Sequence, residues 1–310
     1  MTSYFSSSLA CPHMELRHIR GNTYIIPGSP TTLVYINGSN AWVVDPGLED
    51  SRGLALCNLL KSKGLALKGV ILTHSHADHI GALSSIRAFS YAPEVEACLI
   101  KSRILRHLIT YGYYQPKSHH IGLFDAPDIK VDKAFKPGER IGPFKTFPLI
   151  GHSVNQCGVE TPDRVAYVAD ALFGDQLIEK VGIPFYLDYS KAIESIEFIE
   201  QNLIEDIVIV SHGPILWDKQ RIHKIVELNL SRLSMLKDLV YKSLSEKPLS
   251  VEELTIKLLK LLHVDPTPSN VVLSSQTVKS IIIELADQEY LKPEVIEEKI
   301  AWHSKITKSL

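Results

Sequence analysis

The run His74-Ser75-His76-Ala77-Asp78-His79 lies one residue beyond Gly69-Val70-Ile71-Leu72, an apolar stretch of buried-strand type. Three imidazoles and a carboxylate within six positions are poor packing material, because each is polar and the strand before them is aimed at a core. A buried strand that ends in nitrogen and oxygen donors delivers them together to the rim of a sheet. That is how a protein builds a site for a borderline cation such as Zn²⁺. His74 and His76, two apart on extended backbone, point the same way and can hold one cation. Asp78 and His79 follow as the chain turns into a helix, so they are displaced toward a second position. The competing interpretation, a solvated loop that happens to be His-rich, loses weight because the run does not stand alone.

Three more ligand-type residues each close an apolar, strand-like run. His152 follows Thr146-Phe147-Pro148-Leu149-Ile150-Gly151, Asp170 follows Val165-Ala166-Tyr167-Val168-Ala169, and His212 follows Ile207-Val208-Ile209-Val210-Ser211. A single His after a strand is more often structural than not. Four strand ends repeating one arrangement make a specific signal.

With Asp45 at the end of Val43-Val44-Asp45-Pro46-Gly47, these motifs resemble those of the metallo-β-lactamase superfamily over roughly residues 15 to 230. The resemblance implies an α/β fold: a four-layer αββα sandwich, here followed by a small, mostly helical, winged-helix-like domain. It implies one metal held by His74, His76 and His152, a second held by Asp78, His79 and His212, and Asp170 bridging the two. Asp45 is similar to the family's Asp that orients ligands without being one. Two divalent ions are therefore expected, zinc by default for this donor set, with iron and manganese as alternatives in the superfamily. Paired cations make a water between them acidic, so hydroxide is available to attack an ester, thioester or related carbonyl bond, or a phosphodiester. Asp78 and Asp170 are the carboxylates expected to matter most to that chemistry.

Specialised relatives are set aside by what the chain lacks. Only 42 positions separate Asp170 from His212, too few for the extra domain of the β-CASP nucleases. His76 stands where flavodiiron proteins carry Glu. Nothing after Asp170 resembles the Arg-Thr-Asp-Phe signature of persulfide dioxygenases. The metal motifs match glyoxalase II, whose cationic glutathione-binding residues have no evident counterpart here.

Composition narrows the class further. At 310 residues the chain is long enough for one large domain or two, and 45% hydrophobic residues suffice for a sizeable core. A net charge of −2 draws it neither to nucleic acid nor to an anionic membrane. No window reaches the roughly 18 uninterrupted apolar residues of a membrane span. The segment Met1 to Cys11 lacks a basic start and a long apolar stretch, so a cytoplasmic location is expected. Cys11, Cys57, Cys98 and Cys157 show no short pairing, which suits reduced thiols. Cys157-Gly158-Val159-Glu160 reads as a strand with a buried thiol.

Early strands are expected at Thr23 to Ile26, Thr31 to Ile36 and Ala41 to Val44, with Asn37-Gly38 as a hairpin turn. Helical spacing runs from Ser51 to Lys63, from the ligand turn to about Ser90, from Lys101 to Tyr111 and from Ser190 to Gln201. Ile129 to Ile150 reads as β structure. His119 and His120 fall where the family varies its substrate loops, and Tyr186 or Tyr189 is placed to line a pocket. These are candidate substrate contacts, with exposed loop histidines and a packed aromatic as the plainer interpretations.

Beyond a boundary drawn at residue 230, Asp218 to Ser243 continues as a long helix. Ser250 to Leu262 opens with the capping box Ser250-Val251-Glu252-Glu253. A helix through Val278 to Ala286 and a short wing at Gln288 to Pro293 complete a winged-helix outline, similar to the lactamase-β-2-like branch of the superfamily. Residues 231 to 310 carry 11 Lys+Arg and 11 Asp+Glu, so the tail lacks the basic face that phosphates demand and suits a structural or homodimer-forming part. The sequence thus points to a metal-dependent hydrolase of small or medium substrates. A single-strand-specific ribonuclease is the runner-up, and a winged-helix regulator the third reading.

Overall fold

The computed structural model describes residues 14–112, 125–203 and 207–305. Among them, one sheet has seven strands in chain order: β1 (Arg17–Arg20), β2 (Thr23–Ile26), β3 (Thr32–Asn37), β4 (Asn40–Val44), β5 (Ala66–Ile71), β6 (Phe89–Pro93) and β7 (Lys133–Phe135). A second sheet contains β8 (Arg140–Ile141), β9 (Phe144–Pro148), β10 (Cys157–Glu160), β11 (Val165–Tyr167), β12 (Ile207–Ile209) and β13 (Ile215–Leu216), adjacent in reverse order from β13 to β8. The helices are α1 (Asp50–Ser62), α2 (Ala77–Ile80), α3 (Glu94–Ile100), α4 (Arg103–Tyr111), α5 (Asp175–Val181), α6 (Tyr189–Asn202), α7 (Lys219–Glu246), α8 (Val251–Leu261) and α9 (Pro268–Asp287). An antiparallel hairpin, β14 (Leu291–Ile296) with β15 (Lys299–Ser304), follows.

Period-two alternation in the strands builds the layers. Leu33, Val44 and Ile71 of the first sheet face Phe144, Val159, Val165, Tyr167, Ile207 and Ile209 of the second, forming the apolar seam between sheets. Their neighbours Val34, Val43 and Val70 point the other way, onto Leu56 and Leu60 of α1 and Ala97 and Ile100 of α3. On the far side, Ala166, Val208 and Val210 pack under Ile196 and Ile199 of α6 and Ile222 and Val226 of α7. The order is helix, sheet, sheet, helix, as the sequence led us to expect. Each of the fully buried Val, Leu and Ile side chains among these contributes about 1.5–3 kcal/mol.

One expected helix is cut short. The segment after the ligand turn is α2 for four residues, then a 3₁₀ turn over Gly81–Ser85, and is extended again by Phe89. A side chain at position 81 would meet the Leu48 carbonyl, 2.2 Å from an added Cβ. The Ala82 amide donates to the Gly47 carbonyl at 2.8 Å. That close approach to the chain leaving β4 takes the backbone partner a longer helix would need.

The C-terminal part matches expectation in order but not in extent. The helix expected from Val278 is α9, which already begins at Pro268 on a Thr267 cap, and the residues expected as a short wing open a hairpin with two six-residue strands. The capping box is present, with Ser250 accepting from the Glu253 amide and Glu253 accepting from the Ser250 amide. Residue 230 lies inside α7, and one apolar cluster runs from Val208 and Ile196 through Leu233 and Leu236 to Leu258, Ile281 and Leu285. No helix of the described residues is long and apolar enough to cross a membrane.

Candidate metal centre

Strands β4, β5, β9, β11 and β12 all end at one rim of the sandwich, the usual place for a site in an open α/β sheet. β4 and β5 are parallel, as are β11 and β12, and β10 runs antiparallel to both β9 and β11. The chain leaves β4 at Asp45 and β11 at Ala169 through left-handed backbone, φ 52° and 49°, unusual for side chains with a Cβ. Just before His152, Gly151 has φ 130°, and its Cα packs against the α6 backbone at Ala192, where an added Cβ would be 2.3 Å from the amide nitrogen. Only glycine fits there. These turns swing Asp170 and His152 inward.

Two groups of donors result, each offering one atom per residue, all within 4.8 Å of one another: His74, His76, His152 and Asp170 in one, and Asp78, His79 and His212 in the other. His152 Nε2 lies 2.8 Å from His76 Nδ1 and 3.3 Å from Asp170 Oδ2. In the second group, His212 Nε2 is 3.1 Å from Asp78 Oδ2 and 3.3 Å from His79 Nε2. Asp170 sits between the groups, with Oδ1 3.2 Å from His79 Nε2 and Oδ2 3.5 Å from His212 Nε2. Asp45, fully buried, is also close to His74 and His79.

The far nitrogens of four of these rings are committed elsewhere, which fixes how the rings are turned. His79 Nδ1 meets Asp45 Oδ2 at 2.7 Å, and Asp45 also accepts from the Thr73 amide and hydroxyl at 2.9 and 2.6 Å. His152 Nδ1 donates to the Phe185 carbonyl at 2.8 Å, His212 Nδ1 pairs with the Ser29 hydroxyl at 2.7 Å, and His74 Nδ1 lies 3.0 Å from the Thr73 hydroxyl. At His74 and His152 the opposite nitrogen therefore turns a lone pair inward. His74 Nε2 and Asp78 Oδ1 are buried with no hydrogen-bond partner.

Burial, then the neighbouring His79 and His76, holds His74 well below the usual imidazole range. Burial, then His152, takes His76 down to about 3, and burial lowers His152 as well. Those three rings are neutral donors at pH 7. In the other half, burial is outweighed by Asp170 and Asp45 at His79, and by Asp170 and Asp78 at His212, so both imidazoles are raised. Burial opposes ionisation of Asp170, yet His212, His79 and His152 keep its carboxyl well below the ordinary range. Orphaned buried donors, facing lone pairs and carboxylates crowded at 3 Å are costly by themselves and fit divalent cations.

Several supporting residues gave no warning in the sequence. Glu96, fully buried on α3, accepts from the Ser75 amide at 2.9 Å, the Ser153 hydroxyl and the Asn155 amide at 2.8 Å. It thereby ties the loop carrying His74 and His76 to the loop carrying His152. In sequence it is one more acid in a helix's first turn. Thr73, Ser29 and the Phe185 carbonyl are equally silent. Tyr186 is buried against His152 and Phe173, ring centroids 6.2 and 5.7 Å away, and its hydroxyl has no partner. Tyr189 is buried in the α6 packing, its hydroxyl 3.5 Å from the Leu233 carbonyl, rather than at the donors. His119 and His120 lie outside the described residues. Cys157 is the buried strand thiol expected, its amide donating to the Thr73 carbonyl. A cleft of about 470 Å³ opens beside His212, with Ser29, Asp175 and Lys180 on its walls.

Known proteins carry the same architecture. A beta-lactamase domain protein from Burkholderia ambifaria superposes with a TM-score of 0.69 at 16% identity, covering 96% of each chain. A metallo-beta-lactamase family protein from Thermus thermophilus gives 0.66 at 14% identity, over 95% of this chain and 99% of that one. Such likeness shows the fold alone, and its coverage extends the shared architecture into the C-terminal helices. Hydroxyacylglutathione hydrolase GloC of Haemophilus influenzae is 28% identical over 189 residues, 59% of this chain and 84% of the relative. A model of the metallo-beta-lactamase superfamily matches residues 26–241. A match over that much of the sequence decides the grouping: the chain belongs to the metallo-beta-lactamase superfamily and is one of its hydrolytic enzymes.

Proposed function

We propose that the chain is a thioester hydrolase acting on a small or medium substrate in the cleft beside His212, with two divalent cations, zinc by default, at the donor cluster. His74, His76 and His152 would hold one ion, Asp78, His79 and His212 the other, and Asp170 would touch both. Bound cations supply Lewis acidity and an acidified water. The observation that carries this reading is the convergence of all seven donor residues at one rim of the sandwich, with the far nitrogens of His74, His79, His152 and His212 already tied.

The chain's own residues do the arranging. Asp45, Thr73, Ser29 and the Phe185 carbonyl hold the rings so that the opposite nitrogens face inward. At His79 and His212 a cation has to displace a proton that Asp170 favours, so loading weakens as pH falls. Lys180 and Asp175 put charges of opposite sign on the cleft wall, so it offers a substrate both a cation and an anion.

Thioesters are favoured over amides by the leaving group. A thiolate departs unaided near neutral pH, whereas an amine needs a proton donor. The phenol packed against His152, Tyr186, is pushed far above its usual range by burial, then by Asp170, and so keeps its proton. The name of the Haemophilus influenzae relative points to the same bond. RNA and a second copy of this chain, the other partners read from the sequence, gain nothing from these relatives. The neutral balance of residues 231 to 310 argues against phosphate binding. The three-helix and hairpin tail is read as winged-helix-like in outline, starting near residue 231, with a structural role.

The test is turnover of a panel of S-acyl thioesters, lactones, phosphodiesters and single-stranded RNA by zinc-loaded protein. Thioester cleavage that chelation removes and His76→Ala abolishes supports the reading. Loaded protein that leaves every thioester intact, or His76→Ala with full turnover, refutes it.

A further inference from the structure

The carbonyl that holds His152 belongs to a segment that the C-terminal helices hold in turn. Phe185 accepts from His152 Nδ1 at 2.8 Å. On its next residue, the Tyr186 amide donates to the Thr277 hydroxyl of α9 at 2.8 Å, across 91 positions of sequence. The Thr277 hydroxyl has one proton to give, and it faces the Pro184 carbonyl at 2.8 Å and the Tyr186 carbonyl at 3.3 Å. One turn along α9, Ser280 accepts from the Tyr189 amide at 2.7 Å. The peptide groups flanking Phe185 are thus pinned by α9. The same segment also meets the chain beside His152, where the Leu187 and Asp188 amides both donate to the Gly151 carbonyl, at 2.8 and 3.0 Å.

We propose that Thr277 is a positioning residue for the metal centre, fixing the His152 ring through the Pro184–Tyr186 backbone so that the C-terminal helices complete the site. This rests on the assignment of His152 as a ligand made above. Thr277 is wholly buried, and within the Pro184–Tyr186 loop its hydroxyl is the side chain that both accepts from an amide and faces carbonyls. Removing it leaves a buried amide unpaired and lets the Phe185 carbonyl drift. A ring nitrogen that loses its fixed acceptor becomes a poorer, misaimed donor at the other nitrogen.

A purely structural role predicts lost stability alone, so the experiment reads the metal as well. Full-length wild type, Thr277→Val, Thr277→Ser, Ser280→Ala and Leu285→Ala are titrated with Co²⁺ against a competing chelator. The visible absorption of bound Co²⁺ is recorded, and melting temperatures are measured separately. Leu285 packs in the same cluster and is apolar, with no hydrogen bond to give the segment, so it reports general softening. Thr277→Val is expected to lose about tenfold in Co²⁺ affinity, the low end for outer supports of a ligand, and to alter the absorption band. Thr277→Ser restores both, and Leu285→Ala lowers the melting temperature with affinity unchanged. Thr277→Val with wild-type affinity and spectrum overturns the proposal, as does an equal affinity loss in Leu285→Ala. Should Thr277→Val not fold, Ser280→Ala decides: a several-fold affinity loss supports the proposal and none overturns it. Wild type that binds no Co²⁺ defeats the metal assignment itself, and this proposal with it.

Discussion

The Asp45 carboxylate and His79 Nδ1 lie 2.7 Å apart, with neither side chain exposed. The same carboxylate collects the Thr73 amide and hydroxyl, so three donors and one acid form a closed unit behind the donor cluster. Asp45→Asn turns an NH₂ group toward one of those donors and loosens His79. We expect a 10- to 100-fold loss of metal affinity, the usual cost of disturbing such a support, measured by chelator competition.

Glu96 performs a parallel task for the other half of the site, joining Ser75 to Ser153 and Asn155. Glu96→Gln keeps one oxygen but sets an amide group against a donor it previously satisfied. A buried donor left unpaired costs about 1–3 kcal/mol, so thermal melts should fall correspondingly. A melting temperature equal to that of wild type would show that the loops hold without it.

Tyr186 presents the opposite situation, a buried hydroxyl that no protein atom satisfies. Deleting it should not destabilise the fold, since the ring packing against Phe173 stays. Tyr186→Phe is therefore expected to melt no lower than wild type while kcat on the substrate falls, because an orphaned hydroxyl beside His152 is available to a bound substrate. Unchanged kcat and KM would leave the ring as packing only.

Acid sensitivity should appear in the tail. The Lys299 ammonium, then the Ser250 amide, lowers the Glu253 carboxyl to about 2. A folded value below the unfolded one, near the ordinary 4.5, means this pair stabilises the fold above that pH and stops doing so as pH falls toward 2. The melting difference between wild type and Glu253→Gln should be present at pH 7 and shrink between pH 4.5 and 2. Both side chains are partly open to solvent, so the difference is small.

The donors themselves were legible in the chain, because a polar residue at the end of an apolar run is out of place unless it is used. His74, His152, Asp170 and His212 all carried that mark. The layers followed from the resemblance to the superfamily, and the Ser250 cap from its spacing to Glu253. What holds the donors was not legible. Phe185 contributes a carbonyl, which every residue has, and Glu96 and Thr277 acquire their roles only when distant loops meet them. The 3₁₀ turn at Gly81 was hidden for the same reason, since Leu48 approaches it from another strand's exit.

Helix α7 binds the two ends of the molecule together. Its 28 residues, about 40 Å of rod, begin just past β13 under the second sheet and end beside the C-terminal hairpin, with Ile222, Leu233 and Leu244 all sunk in one oil phase. A rod shared by both halves leaves no seam along which heat can separate them. Calorimetry of the whole chain should therefore register a single cooperative endotherm, and a protein cut at residue 230 should not retain half of it but collapse altogether.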